Sequence, residues 1–273
     1  MRHLLNLLVV LFWHFLDKIY IRFFKICYRF TSHIICDKIS TNWIGSVVME
    51  KNIVIGIEGL VGSGKTTICR ELTKKIPNAV FLNGGNLYRA IVYVMLKNAG
   101  SLDAIKNNAS NIDIKLIMDK LQIKMVIEDG ETNFYYKNEK LKEEDLQSEE
   151  SSLAVSNVGG VADNKRLFEF ARNIIDNLKK EHTVIISGRS IVKIYPDTDY
   201  HFFITATLDE RVRRKCIQYG TENIEEIKAN IQTRDNLQEK AGFYDKSDKT
   251  IEIDVTNCAN ASEAIDNMLE YIK

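Results

Sequence analysis

Ile53-Val54-Ile55-Gly56-Ile57-Glu58-Gly59-Leu60-Val61-Gly62-Ser63-Gly64-Lys65-Thr66-Thr67 is the stretch on which the fold reading turns. Ile53 to Ile57 is a short apolar run of strand type. Gly59 to Thr66 fits G-x-x-x-x-G-K-[ST], the phosphate-cradling loop. Lys65 to Ile76 follows with helical spacing, which puts Ile68, Leu72 and Ile76 on one face. Strand, glycine loop and helix in that order aim backbone N–H groups and a helix N-terminus at one anion. Glycine is needed because a Cβ would block the approach of backbone to phosphate oxygens. Lys65 is placed to reach β- and γ-phosphates, and the Thr66 hydroxyl to sit on Mg²⁺. A chance match in a surface loop would lack the flanking strand and helix. The stretch therefore predicts a nucleoside triphosphate site, with Gly59, Gly62, Ser63, Gly64, Lys65, Thr66 and Thr67 around the phosphates.

Working outward, short apolar runs alternate with helical patterns. Ala79–Leu82, His182–Ile186, Tyr200–Thr205 and Ile251–Val255 read as further strands. Helices are expected over 65–76, 87–98, 112–121, 151–158, 164–180, 209–218, 224–233 and 262–272. Such alternation implies a doubly wound parallel sheet covered on both faces, an α/β fold of the P-loop NTPase type. Residues 121–141 differ. Alternating Ile123, Met125 and Ile127, the Asp129-Gly130 turn signal and extended 133–136 predict a small antiparallel insert.

The chain has 273 residues, enough for one large domain with a tail. Its 37 basic and 37 acidic residues cancel, so no global field favours nucleic acid or membrane. Five scattered cysteines, with no C-x-x-C pair, argue for a reducing compartment and against a disulfide framework. The histidines show no ligand spacing, and no zinc site is predicted. Residues 1–48 do not match the rest: they carry six basic and two acidic residues and both tryptophans. Their apolar run, Leu4–Leu16, is shorter than the roughly 20 residues a membrane span needs. A signal peptide, an interfacial amphipathic anchor and upstream sequence read from an early start codon are the three readings; Met49, directly before the first strand, favours the last. The domain expectation is an extension over 1–48 and a catalytic domain over 49–273, and the location expected is cytoplasmic.

Phosphoryl transfer asks for positioning and for positive charge on the equatorial oxygens. Arginines at strand ends and helix starts are therefore the candidates. Arg89 starts the helix after the second strand. Arg189 follows the strongest internal strand, at the carboxyl end where doubly wound sheets bind ligands. Arg211, Arg213 and Arg214 crowd one helix, a pattern that is usually a solvated face. Arg234 is read at a helix end. Guanidinium forks grip phosphate with a bidentate geometry that Lys lacks.

With these residues in order, the segment from 53 to about 272 resembles the cytidylate (CMP/dCMP) kinase family of nucleoside monophosphate kinases. Gly85-Asn86-Leu87-Tyr88-Arg89 resembles its G-x-x-Y-R, and Ser156-Asn157-Val158 with Lys165-Arg166, Ser187-Gly188-Arg189, Tyr195-Pro196-Asp197-Thr198-Asp199, Glu210–Arg214 and Arg234-Asp235 add to the series. The resemblance implies ATP and Mg²⁺ at Lys65 and Thr66, and acceptor and transferred phosphates at Arg89, Arg189 and Arg234. It places Ser156, Lys165, Arg166 and Ser187 with the acceptor, and Arg211 and Arg214 with the donor under a lid. It also implies an acceptor-binding region over 100–165, a lid over 211–245, small-molecule nucleotide partners and a monomer. This chain departs from the family's Asp-Gly-Arg-Asp at Ser187–Ser190, and from its Arg- and Asp-rich lid at Asn236–Ala241. A thymidylate or deoxynucleoside kinase, which shares Ile57-Glu58-Gly59, and a non-catalytic nucleotide-binding module remain open at this stage.

Overall fold

The computed structural model describes residues 51–99, 118–119, 122–146 and 165–272. The 1–48 extension, the helices expected over 151–158 and most of 112–121, and Ser156 lie outside the described residues. Strands and helices follow as β1 (Val54–Gly59), α1 (Lys65–Lys75), β2 (Ala79–Asn83), α2 (Gly84–Ala99), β3 (Ile123–Glu128), β4 (Glu131–Tyr136), β5 (Glu139–Lys140) and α3 (Glu143–Leu146). After them come α4 (Lys165–Lys179), β6 (Thr183–Ser187), α5 (Ile191–Ile194), β7 (Tyr200–Thr205), α6 (Leu208–Tyr219), α7 (Ile224–Lys240), β8 (Thr250–Asp254) and α8 (Ala261–Leu269).

Strands β2-β6-β1-β7-β8 run parallel in that order, with β1 central between β6 and β7. Side chains alternate between faces along a strand, and both faces here are apolar. Ile53, Ile55, Ile57, Phe81, Ile185, Phe202 and Ile204 face one way, against Ile68 and Leu72 of α1 and Ile265 and Met268 of α8. Val54, Val80, Leu82, Val184 and Ile186 face the other way, against Ala171, Ile175 and Leu178 of α4 and Ile191 of α5. That is why the central strands read as unbroken apolar runs rather than alternating ones.

The expected antiparallel insert is present, and it is not a separate sheet. Asp129 and Gly130, both at positive φ, make the two-residue turn from β3 to β4. Strand β4 then joins the edge of β2 in parallel through one pair, Phe81 and Glu131. The Phe81 amide donates to the Gly130 carbonyl at 2.7 Å, and the Thr132 hydroxyl donates to the Phe81 carbonyl at 3.2 Å. Arg70 of α1 adds ion pairs to Glu131 at 2.7 Å and Glu143 at 3.4 Å.

Three helix boundaries differ from expectation by three residues or more, among them α8, which ends at Leu269 rather than at 272. Helix α2 starts at Gly84, because the Asn83 carboxamide oxygen accepts the Asn86 amide at 3.2 Å and satisfies one of the helix's first N–H groups. Helix α7 runs to Lys240, so Arg234-Asp235 lies inside it rather than at its end. The Asn223 side chain caps α7 by accepting from the Glu226 amide.

Candidate active site

The glycine loop leaves the carboxyl end of β1 and enters α1 through Gly64, at φ 92°. No side chain caps α1, and its first turn holds no acidic residue. Its leading amides are thus left to an external anion. Gly59 shows why a glycine is required: at φ 145°, an added Cβ would lie 2.1 Å from the Ile204 carbonyl oxygen. Ser63 is fully buried, and its hydroxyl has no hydrogen-bond partner. Thr66, half-buried, and Thr67, exposed, begin the helix.

Lys65 folds back over the loop, donating to the carbonyls of Gly59 at 2.9 Å and Leu60 at 2.7 Å. Burial first, then the nearby Arg189 charge, pull its ammonium down to about 8. Two more arginines join this field. Arg189 sits on the turn after β6, where burial and the charges of Arg234 and Arg89 disfavour its guanidinium, although much of the residue is exposed. Arg89, on α2, is depressed by burial and then by Arg234, against a raising influence from Glu143. Lys65, Arg89, Arg189 and Arg234, which are 24 to 169 residues apart in sequence by numbering, therefore share one electrostatic neighbourhood. Like charges held together in this way are stabilised by a polyanion placed among them.

The other named residues are placed as follows. Ser187 is buried beside the Cys69 thiol, which burial pushes up to about 12. Arg211 is buried and engaged within the protein. Its Nε donates to the Ala206 carbonyl at 3.0 Å, and its Nη1 to the Val61 carbonyl at 3.1 Å and to Asp235 at 2.5 Å. Arg214 bonds Glu210 at 2.7 Å, the Ser63 carbonyl at 3.3 Å and the Val255 carbonyl at 2.6 Å, which braces the loop from behind. Arg213 pairs with Glu210 on the exposed face. Lys165 and Arg166 are the first residues of α4, and their side chains lie outside what the structure describes. Among the described residues, no cluster of three or more His, Cys, Asp or Glu could hold a metal.

Sequence reasoning passed over three features. Asp235 accepts the Val61 amide at 3.1 Å and the Tyr244 hydroxyl at 2.6 Å. The Phe243 ring lies 5.4 Å from the Arg189 guanidinium carbon, within cation–π range. Glu58, buried at the end of β1, accepts the Ile191 amide and faces His201 Nε2 at 3.4 Å without hydrogen-bond geometry. Its bond to Ile191 fixes the end of the Gly188–Ser190 turn that carries Arg189. Each of these side chains meets a partner 9 to 174 residues away, which no local pattern signals.

The family model described as cytidylate kinase matches residues 55–273. Cytidylate kinase of Clostridioides difficile (strain 630) is 30% identical over 213 residues, covering 75% of this chain and 91% of that protein. Cytidylate kinase of Halalkalibacterium halodurans is 28% identical over 231 residues, covering 82% and 98%. Among solved structures, shikimate kinase from Bacteroides thetaiotaomicron aligns with a TM-score of 0.39 at 16% identity, covering 81% of this chain and 98% of that one.

Proposed function

Since the chain belongs to the cytidylate kinase family and is a nucleoside monophosphate kinase, we propose that ATP is its donor and CMP or dCMP its acceptor. What supports this reading is the uncapped start of α1 at the glycine loop, together with the mutual electrostatic influence that links Lys65 to Arg189 and Arg234, and Arg189 and Arg234 to Arg89. Transfer moves a group with charge on three oxygens, and a ring of cations lowers that barrier without covalent chemistry from the protein.

In this reading the amides from Gly62 to Thr66 hold the donor's phosphates. Lys65 exchanges the Gly59 and Leu60 carbonyls for β- and γ-oxygens. Arg89 grips the acceptor phosphate. An oxygen of that phosphate attacks the γ-phosphorus, the bond from the γ-phosphorus to its bridging oxygen breaks, and ADP leaves with the bridging electrons. Arg189 and Arg234 face the migrating group. The donor set also suits Mg²⁺: a hydroxyl at Thr66, with no carboxylate cage among the described residues, would fit an ion that keeps waters and phosphate oxygens as its main ligands. When bound, the ion neutralises charge between the β- and γ-phosphates.

The same reading assigns the acceptor region to 100–165, the lid to 211–245 and the catalytic domain to 49–273, acting as a monomer in an ATP-containing cytoplasm. Its partners are small nucleotides. Free thiols at Cys69, Cys216 and Cys258 suit that compartment. The test is ADP release by the full-length chain with ATP, Mg²⁺ and a panel of nucleoside monophosphates and nucleosides. CMP or dCMP as the best acceptor supports the proposal. Preference for dTMP or for an unphosphorylated nucleoside overturns the acceptor assignment, and ATP binding without acceptor-dependent ADP overturns the reaction.

A further inference from the structure

Helix α7 carries Arg234 and Asp235 side by side. Consecutive helical residues project about 100° apart, so the two serve different neighbours. Arg234 belongs to the cation cluster. Asp235 turns to the tip of the glycine loop, where one carboxylate oxygen accepts the Val61 amide at 3.1 Å and the Tyr244 hydroxyl at 2.6 Å. Its other oxygen takes Arg211 Nη1 at 2.5 Å, and that nitrogen also donates to the Val61 carbonyl. Val61 is thus gripped at both its N–H and its C=O by one ion pair. Its side chain packs against Val212 of α6 and Ile231 of α7. Tyr244 is held in turn by an edge contact to Phe203 at 5.7 Å, and its neighbour Phe243 lies against Arg189.

We propose that Asp235, supported by Tyr244, is a positioning residue for phosphoryl transfer: it registers α7 on the loop tip and so holds Arg234 at the correct depth over the reacting phosphates. The proposal rests on the reading of Arg234 as a phosphate contact. Misplacement of a catalytic group by about 1 Å can cost on the order of 10²-fold in rate, and Asp235, which accepts the Val61 amide, is the immediate neighbour of Arg234 on the same helix.

The test is steady-state kinetics on the full-length chain, with Asp235→Asn, Tyr244→Phe and Arg234→Ala made singly and in pairs. Asp235→Asn is expected to lower kcat by roughly tenfold or more while KM for ATP moves less than about threefold. In the Arg234→Ala background the same change is expected to cost less than about threefold, because the group it positions is gone. A purely structural role would move stability and both kinetic constants regardless of Arg234. Unchanged kcat in folded Asp235→Asn, a change confined to KM, or full additivity with Arg234→Ala each overturns the proposal. If Asp235→Asn does not fold, Tyr244→Phe decides. This change keeps the ring and removes one donor; a kcat loss of about two- to fivefold that vanishes without Arg234 supports the role, and unchanged kcat overturns it. Wild-type chain without acceptor-dependent turnover overturns the kinase reading itself. Turnover in the wild type with an indifferent Asp235→Asn overturns this proposal alone.

Discussion

Lys65 bears a charge that its surroundings disfavour, so raising the pH should switch off donor capture before it slows transfer. Burial, then Arg189, hold its ammonium at about 8 in the free protein. About one molecule in ten then keeps the ammonium at a pH near 9, and most keep it near 7. A bound triphosphate reverses the balance, since opposite charge within a few ångströms favours the charged form. The free enzyme's ionisation appears in kcat/KM and that of the complex in kcat. With ATP varied at saturating acceptor and Mg²⁺, kcat/KM for ATP should fall about tenfold between roughly pH 7 and 9 while kcat stays within about twofold. Removing the second-largest cause with Arg189→Ala should move the break to higher pH. Stability runs the other way. A lysine with a depressed folded pKa is protonated more fully in the unfolded chain between about 8 and 10.5. The Lys65 contribution to ΔG of unfolding therefore rises with pH across that window, measurable as a later urea midpoint relative to Lys65→Met. A kcat/KM that stays flat to about pH 9, or a fall shared equally by kcat, would refute the reasoning.

Arg189→Ala should reduce kcat on the order of 10³-fold in the ADP-release assay, since one charge-stabilising arginine can carry that much; near-normal turnover removes it from the mechanism. Gly59→Ala drives a Cβ to 2.1 Å from backbone at the β1–β7 pair, and should cost about 3 kcal/mol or more in urea unfolding. A midpoint equal to wild type would show that the loop relaxes freely. Glu210, drawn down to about 2 by Arg213 and then by Arg214, has a depressed folded pKa. Its stabilising share is present above about 4.5 and lost as the pH falls toward 2, so Glu210→Gln should flatten part of the acid-side stability curve. An unchanged curve would count against those ion pairs.

The parts legible in the sequence are those whose physics is local. The glycines, lysine and threonine of the loop sit at the fixed spacing that a single anion would require of them. The two-sided sheet announces itself because Ile53–Ile57 and His182–Ile186 have no polar face to show. Asp129-Gly130 betrays a turn because few residues accept positive φ. What stayed hidden depends on distant partners. The polar pair Arg234-Asp235 read as a helix end, yet Asp235 is satisfied by Val61, 174 residues earlier, which lets α7 continue. The seam between β4 and β2 rests on a single residue pair, too little to print a pattern. Ser187 is buried at the end of β6 beside Cys69 of α1, a neighbour 118 residues away that no local pattern signals. Arg211 and Arg214 looked alike, and only tertiary contacts separate the buried brace from the half-exposed one.

The seam at Phe81 carries a consequence for how the enzyme handles its substrates. The β4–β2 seam includes a main-chain hydrogen bond from Phe81 to Gly130, with Thr132 and Arg70 beside it, while the tip of the glycine loop is tied to α6 and α7 through the side chains of Asp235, Arg211 and Arg214. Peptide linkages in a ladder have no alternative partner to trade for, whereas carboxylates and guanidinium groups can swap allegiance when a new anion arrives. Whatever rearrangement accompanies nucleotide entry should thus be lopsided, an anvil that stays put beneath a hammer that travels.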